Sequence, residues 1–149
     1  MLLQGTQADC GAASLHNALC SLGMHRSLDE LRSLCGTTAT DGSSERKMLK
    51  AARAIAGLEP EVLMETEKRA SAALAILRTR LLRGRPVLLL VDPNDDGEAE
   101  HWVAAVGLLG PRFLVADSAL TELVVAYTEP QLLERWTCSG RDAHYGMVI

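Results

Sequence analysis

Hydrophobic residues recur along this chain with two different periods. In the first half they fall three and four positions apart, the spacing of a helix face. Ala12, Leu15, Leu19 and Leu22 form one such face, and Gly23 follows as a stop signal. Ser27 and Glu30 have the spacing of a capping box ahead of Leu28, Leu31 and Leu34, closed by Gly36. The stretch DGSS opens a third helix carrying Met48, Ala52 and Ile55 and ended by Gly57. A short strand, EVLM at 61–64, and a helix from about Arg69 to Leu82 lead on to Gly84.

The second half changes period. RPVLLLV, HWVAAVGL, RFLVAD, ELVVAY and HYGMVI read as strands, separated by glycine, proline and acidic residues. Between the last two, TEPQLLERW reads as a short helix with Thr128 and Gln131 as its capping box. A helical half followed by a meandering strand half predicts an α+β protein rather than an alternating βαβ one. No repeat, linker or low-complexity segment divides the 149 residues, so a single domain over 1–149 is expected.

Composition narrows the partners. Aromatic residues make up only 3% of the chain, so the core must be built from Leu, Val, Ile and Ala. A net charge of −4 with no basic patch argues against nucleic acid. The longest apolar run, PVLLLV at 86–91, is too short to span a membrane, and no secretory signal opens the chain. A cytoplasmic location is expected, where thiols stay reduced. The four cysteines contain no CxxC pair, which argues against a disulfide framework or a structural zinc site. Cys20 and Cys35 fall on apolar helix faces and read as small core residues, and Cys138 has no evident role. DPNDDG at 92–97 imitates the start of a calcium loop, but Val103 stands where its final glutamate belongs. No metal or other cofactor is expected.

The candidate chemistry lies in QGTQADCGAASL. Asp9 is placed to cap the first helix, which puts Cys10 in its first turn, near the positive end of the helix dipole. That position favours the thiolate, the reactive form of cysteine. Gly11 would leave room for a substrate backbone beside the sulfur. A cysteine nucleophile needs a histidine base and a group to orient it. His16, beside Asn17, reads as solvated, His25 sits in a loop, and His144 opens the last strand. His101 begins HWVAAVGL, and the next run ends at Asp117. A hairpin centred on Leu109 would set His101 directly opposite Asp117 on one face, whereas a one-residue slip would separate them. On these residues alone, a buried helix-start thiol and a surface ion pair remain open as alternatives.

The chain resembles the C39 peptidases, papain-like cysteine peptidases found at the N-terminus of peptide-exporting ABC transporters. The resemblance rests on Q-x5-C within QGTQADCGAASL, then SLDELRSLCGT, DGSSERKMLKAARAIAGL, RPVLLLV and HWVAAVGLLGPRFLVADS. It implies a papain-like fold, N-terminal helices packed on an antiparallel sheet. It also implies that Cys10 is the nucleophile, His101 the general base and later acid, and Asp117 the group that orients His101. Gln4 would join the backbone N–H of Cys10 in the oxyanion hole, with Gln7 wrongly spaced for that role. Where the family commonly has Asp-Pro, this chain has Asp117 followed by Ser118. The implied substrate is a precursor peptide whose amphipathic leader helix ends in Gly-Gly, cut after the second glycine through a thioester. An ABC transporter is the further partner implied. Two other functions fit the same residues: a cysteine hydrolase of another amide or isopeptide bond, and a non-catalytic module that docks a leader peptide.

Overall fold

The computed structural model describes residues 1, 3, 5–62, 70–93, 100–136 and 144–149. Gln4, Cys138, most of the acidic loop 92–97, Leu63, Met64 and Arg69 lie outside the described residues. Three helices come first: α1 (Cys10–Ser21), α2 (Leu28–Cys35) and α3 (Glu45–Ala54). Each begins where local chemistry dictates. The Ser27 hydroxyl accepts the Glu30 N–H at 3.2 Å, and the Ser44 hydroxyl accepts the Lys47 N–H at 3.3 Å. Gly36 ends α2 in the left-handed conformation, φ 61°, which a residue without a Cβ adopts at little cost.

Among the described residues the sheet has six antiparallel strands. They are β1 (Glu61–Val62), β2 (Val87–Val91), β3 (His101–Leu109), β4 (Arg112–Ala116), β5 (Val124–Tyr127) and β6 (Gly146–Val148). Their spatial order is β1-β6-β2-β3-β4-β5, so β2 and β3 are central. Two further helices, α4 (Ala70–Leu82) and α5 (Glu129–Arg135), complete the described elements. Thr128 and Gln131 form the reciprocal capping box that opens α5.

Both faces of the sheet are covered. Leu88, Leu90, Trp102, Ala104, Ala116 and Met147 pack against the α1–α3 layer. Val87, Leu89, Val91, Val103, Ala105, Phe113, Val115 and Val148 pack against α4 and α5. This explains the unbroken VLLLV of β2: a strand with protein on both faces has no solvent side to mark with polar residues, and all five are buried. The architecture is α+β with helices packed on an antiparallel sheet, as expected for the papain-like class.

The β3–β4 hairpin differs from the expected register in two ways. Its turn is tighter, Leu109 pairing with Arg112 around Gly110 and Pro111. Gly110 has φ 57° and proline follows it, the residue pattern of a type II′ hairpin turn. Between the pairs Gly107–Leu114 and Ala105–Val115, one extra residue, Val106, is inserted as a β-bulge. Beyond the bulge the pairing runs Ala105–Val115 and Ala104–Ala116. Continued by one step, it sets Asp117 opposite Val103, so that Asp117 is the diagonal neighbour of His101 rather than its direct partner. Without Val106, the tight turn would have sent the two side chains to opposite faces.

Candidate active site

Cys10 is the first residue of α1 and is 7% exposed. Asp9 occupies the N-cap position, but its carboxylate makes no cap hydrogen bond. It accepts instead from Arg32 of α2, Nε to Oδ1 at 2.9 Å and Nη2 to Oδ2 at 2.7 Å, and from the Thr6 N–H at 2.9 Å. The Arg32 hydrogen bonds are the main cause that holds the Asp9 carboxyl below its usual range, against the opposing effect of burial. The expected cap is thus an anchor between helices, and it fixes the chain just before Cys10.

Two hydrogen bonds fasten β3, beside His101, to the helical layer: one to α1 and one to the segment that leads into α3. The Ser14 hydroxyl, one turn along from Cys10, donates to the Trp102 carbonyl at 2.6 Å. The Trp102 indole N–H donates to the Ser43 carbonyl at 2.8 Å. Gly11 serves this packing. A Cβ there would lie 2.8 Å from Met48 Sδ and 2.9 Å from Ser43 Cβ. The space beside Gly11 is therefore filled by the α3 layer, and the glycine permits close helix packing rather than substrate access. Open space does adjoin Cys10 itself. A cavity of about 270 Å³ is lined there by Cys10, Ser43, Glu45, Leu90, Glu100 and Trp102, among others.

His101 opens β3 and is 7% exposed. Its Nε2–H donates to Asp117 Oδ1 at 2.8 Å. Burial opposes protonation of the ring, but hydrogen bonding to Asp117 and to Cys10 outweighs it and raises the pKa from 6.5 to about 9. Asp117 is 1% exposed. Burial pushes its carboxyl up, and the His101 hydrogen bond, the Ala119 N–H at 3.0 Å and the charge of Arg135 together hold it below its usual value. Arg135 Nη2 stands 3.4 Å from Asp117 Oδ2. Nothing in the sequence pattern pointed to this arginine, because α5 reaches Asp117 only through tertiary packing. Ser118, in place of proline, is buried at 1% exposure.

The structure thus brings Cys10, His101 and Asp117 together from α1, β3 and the end of β4. The other histidines lie elsewhere. His16, expected in solvent, is half-buried, with its Nδ1–H on the Arg26 carbonyl at 2.9 Å and its Nε2 3.3 Å from Cys20 Sγ. His144 is buried and packs edge-on against Trp136. No group of three or more metal-binding side chains occurs among the described residues. No described helix is long and apolar enough to cross a membrane.

Known proteins share this arrangement of helices and sheet. The peptidase domain of Streptococcus ComA, a bifunctional ABC transporter of a quorum-sensing pathway, is similar in structure. Its TM-score is 0.69 at 16% identity, over 98% of this chain and 93% of that one. A double-glycine-motif protease of an AMS/PCAT transporter, solved in complex with the leader peptide, also gives 0.69, at 24% identity over 99% and 87%. A putative C39-like peptidase from Bacillus anthracis gives 0.74 at 11% identity, over 99% and 92%. No curated protein matches the sequence. The profile of the peptidase C39 family matches residues 1–138, and the chain belongs to that family.

Proposed function

We propose that this chain is a cysteine endopeptidase that cuts a precursor peptide after the Gly-Gly ending its leader. The observation that carries the reading is the 2.8 Å bond from His101 Nε2 to Asp117 Oδ1, behind a ring that also engages Cys10 at a helix start. Family membership and the likeness to a double-glycine-motif protease supply the substrate class. With Nε2 engaged by Asp117, Nδ1 is the ring nitrogen left for the thiol.

In this reading His101 accepts the Cys10 proton, and the sulfur attacks the carbonyl of the second glycine. The oxyanion forms against the Cys10 backbone N–H, with the Gln4 amide as the expected second donor; one such donor is typically worth about 2.7–4 kcal/mol in the transition state. His101 then gives its proton to the leaving amine, and the acyl group remains on sulfur as a thioester. Water, deprotonated by His101, releases the leader and regenerates the thiol. The whole of 1–149 acts as one peptidase domain, working in the cytosol beside or as part of an ABC transporter that exports the product.

The test is cleavage of a synthetic precursor, read by mass spectrometry, with the final glycine of its leader kept or replaced by valine. The glycine substrate is expected to be cut at one bond and the valine substrate to remain intact. Equal cutting of both would replace the double-glycine reading with a broader amide hydrolase. Binding of the leader without any cutting would leave a docking module.

A further inference from the structure

Asp117 is approached by positive groups from two sides. Its Oδ1 receives the His101 Nε2–H at 2.8 Å and the Ala119 N–H at 3.0 Å. Its Oδ2 faces Arg135 Nη2 at 3.4 Å. The arginine is itself held in place. Its Nη1–H donates to the Tyr127 hydroxyl, and its guanidinium carbon lies 5.5 Å from the centre of the Tyr127 ring. Its carbonyl accepts the Asp92 N–H at 2.8 Å, which ties the end of α5 to the end of β2. The next residue, Trp136, is fully buried, and its indole N–H donates to the Tyr145 carbonyl at 2.8 Å. The backbone that carries Arg135 is therefore anchored on both sides.

The surroundings make the charge matter. Asp117, Tyr127 and Arg135 share a space with Val91, Val103, Val115 and Leu132, which leaves about 10 Å³ empty. That is at the lower limit for a single water, so with the guanidinium in place solvent adds little beside it. A carboxylate in such a site is costly unless paired. His101 alone cannot hold it in every state, because its ring is neutral whenever its proton has gone to the substrate or the thiol.

We propose that Arg135 is a positioning residue for the peptidase reaction: from the end of α5 its guanidinium keeps the Asp117 carboxylate ionised and aimed at His101 throughout the cycle. The inference rests on the reading of Cys10, His101 and Asp117 as the peptidase machinery. Among the described residues, the charged and titratable groups around Asp117 are His101 from β3, Arg135 from α5 and Tyr127 from β5. Cys10 of α1 acts through His101. Asp92 at the end of β2 meets Arg135 through its backbone, and His144 rests on Trp136 next in the chain. Among these, Arg135 supplies positive charge whatever the state of His101.

The experiment follows iodoacetamide modification of Cys10 against pH, which needs no substrate, in the wild type, Arg135→Gln and Arg135→Lys. Circular dichroism on each variant checks the fold. In the wild type, modification of Cys10 should be rapid at neutral pH and fall away along an acid limb. Arg135→Gln should move the acid limb of that profile upward by on the order of one pH unit, because Asp117 then takes up its proton more readily. Arg135→Lys, which keeps the charge, should return the limb to the wild-type position. Precursor cleavage should show the same order, with kcat falling more than KM changes. A wild type that reacts like an ordinary thiol would sink the peptidase reading itself. A wild type that behaves as expected, with an unmoved limb in Arg135→Gln, would overturn the role of Arg135 alone. That role is equally overturned if Gln and Lys shift the limb by the same amount, or if both only lower the melting temperature.

Discussion

Helix α1 carries a cysteine–histidine pairing at each end, and only one has a carboxylate behind it. At the N-terminal end Cys10 meets His101, whose far nitrogen rests on Asp117. Toward the C-terminal end Cys20 meets His16, whose far nitrogen rests on the Arg26 carbonyl. A carbonyl can only accept, so Nδ1 of His16 must be the protonated nitrogen. Nε2 then accepts from the thiol, and the ring is neutral. Burial is the main cause that lowers the His16 pKa below 6.5, whereas His101 is raised to about 9. The two pairings look alike at the sulfur and differ one bond further out. A thiol–imidazole contact is ordinary packing until a buried anion stabilises the proton on the ring.

Substitution at the two sulfurs should separate the pairings most sharply. Cys10→Ala should lower cleavage of a Gly-Gly precursor on the order of 10⁴-fold or more. Cys20→Ala should leave the rate within about twofold, since that thiol serves only packing. Comparable losses in kcat would erase the distinction. Removing the anion is the next largest step. Asp117→Ala should cost on the order of 10³-fold in kcat/KM, and Asp117→Asn less, because an amide oxygen can still accept from Nε2. An alanine variant as active as wild type would show that the anion does not matter.

Alkylation should rank the thiols. Cys10 should react at least about tenfold faster than Cys20 at neutral pH. Cys35 should trail both, being fully buried with its pKa pushed up to about 11 by burial. Peptide mapping after a limiting dose of iodoacetamide reads the order, and equal labelling of Cys10 and Cys20 would contradict it.

The smallest expected effects are in stability, and they have opposite signs. His101 is raised in the folded state, so its protonation stabilises the fold fully below pH 6.5, and that contribution is lost as pH climbs toward about 9. His16 is lowered, so the fold loses stability as pH falls below 6.5 and the unfolded chain takes up the proton first. Urea midpoints measured across this range should fall on the alkaline side in wild type and flatten there in His101→Gln. His16→Gln should flatten the acid side instead. If both variants change the same side, the assignment of the two protonation states fails.

Much of this was legible in the sequence where the signal was local. Ser27, Ser44 and Thr128 mark helix starts because a hydroxyl three residues from an N–H finds it without help from the rest of the fold. The apolar run of β2 was legible as a strand, but its central place in the sheet came only with the pairing to β3 and β6. Misreadings arose where a distant residue intervened. Asp9 stands at the cap position, yet Arg32, 23 residues away, takes its carboxylate. His16 looked solvated until the 24–27 loop folded its Arg26 carbonyl over the ring. Gly11 suggested an opening, and Met48 and Ser43 fill it. Arg135 left no trace at all, because a lone arginine ending a short helix is indistinguishable from a surface charge.

The bulge at Val106 bears on how this hairpin can vary in length. A strand counts its side chains by twos, so the segment from His101 to Asp117 obeys a parity rule. Insertion or loss of two residues in one arm keeps both groups on the same side of the sheet. Loss of one does not, and Val106 is the residue that makes the count come out even. Deleting it would leave a more regular ladder around the same Gly110–Pro111 turn and a hairpin of greater ideality. The outcome would be a well-formed sheet whose imidazole and carboxylate are separated by its full thickness.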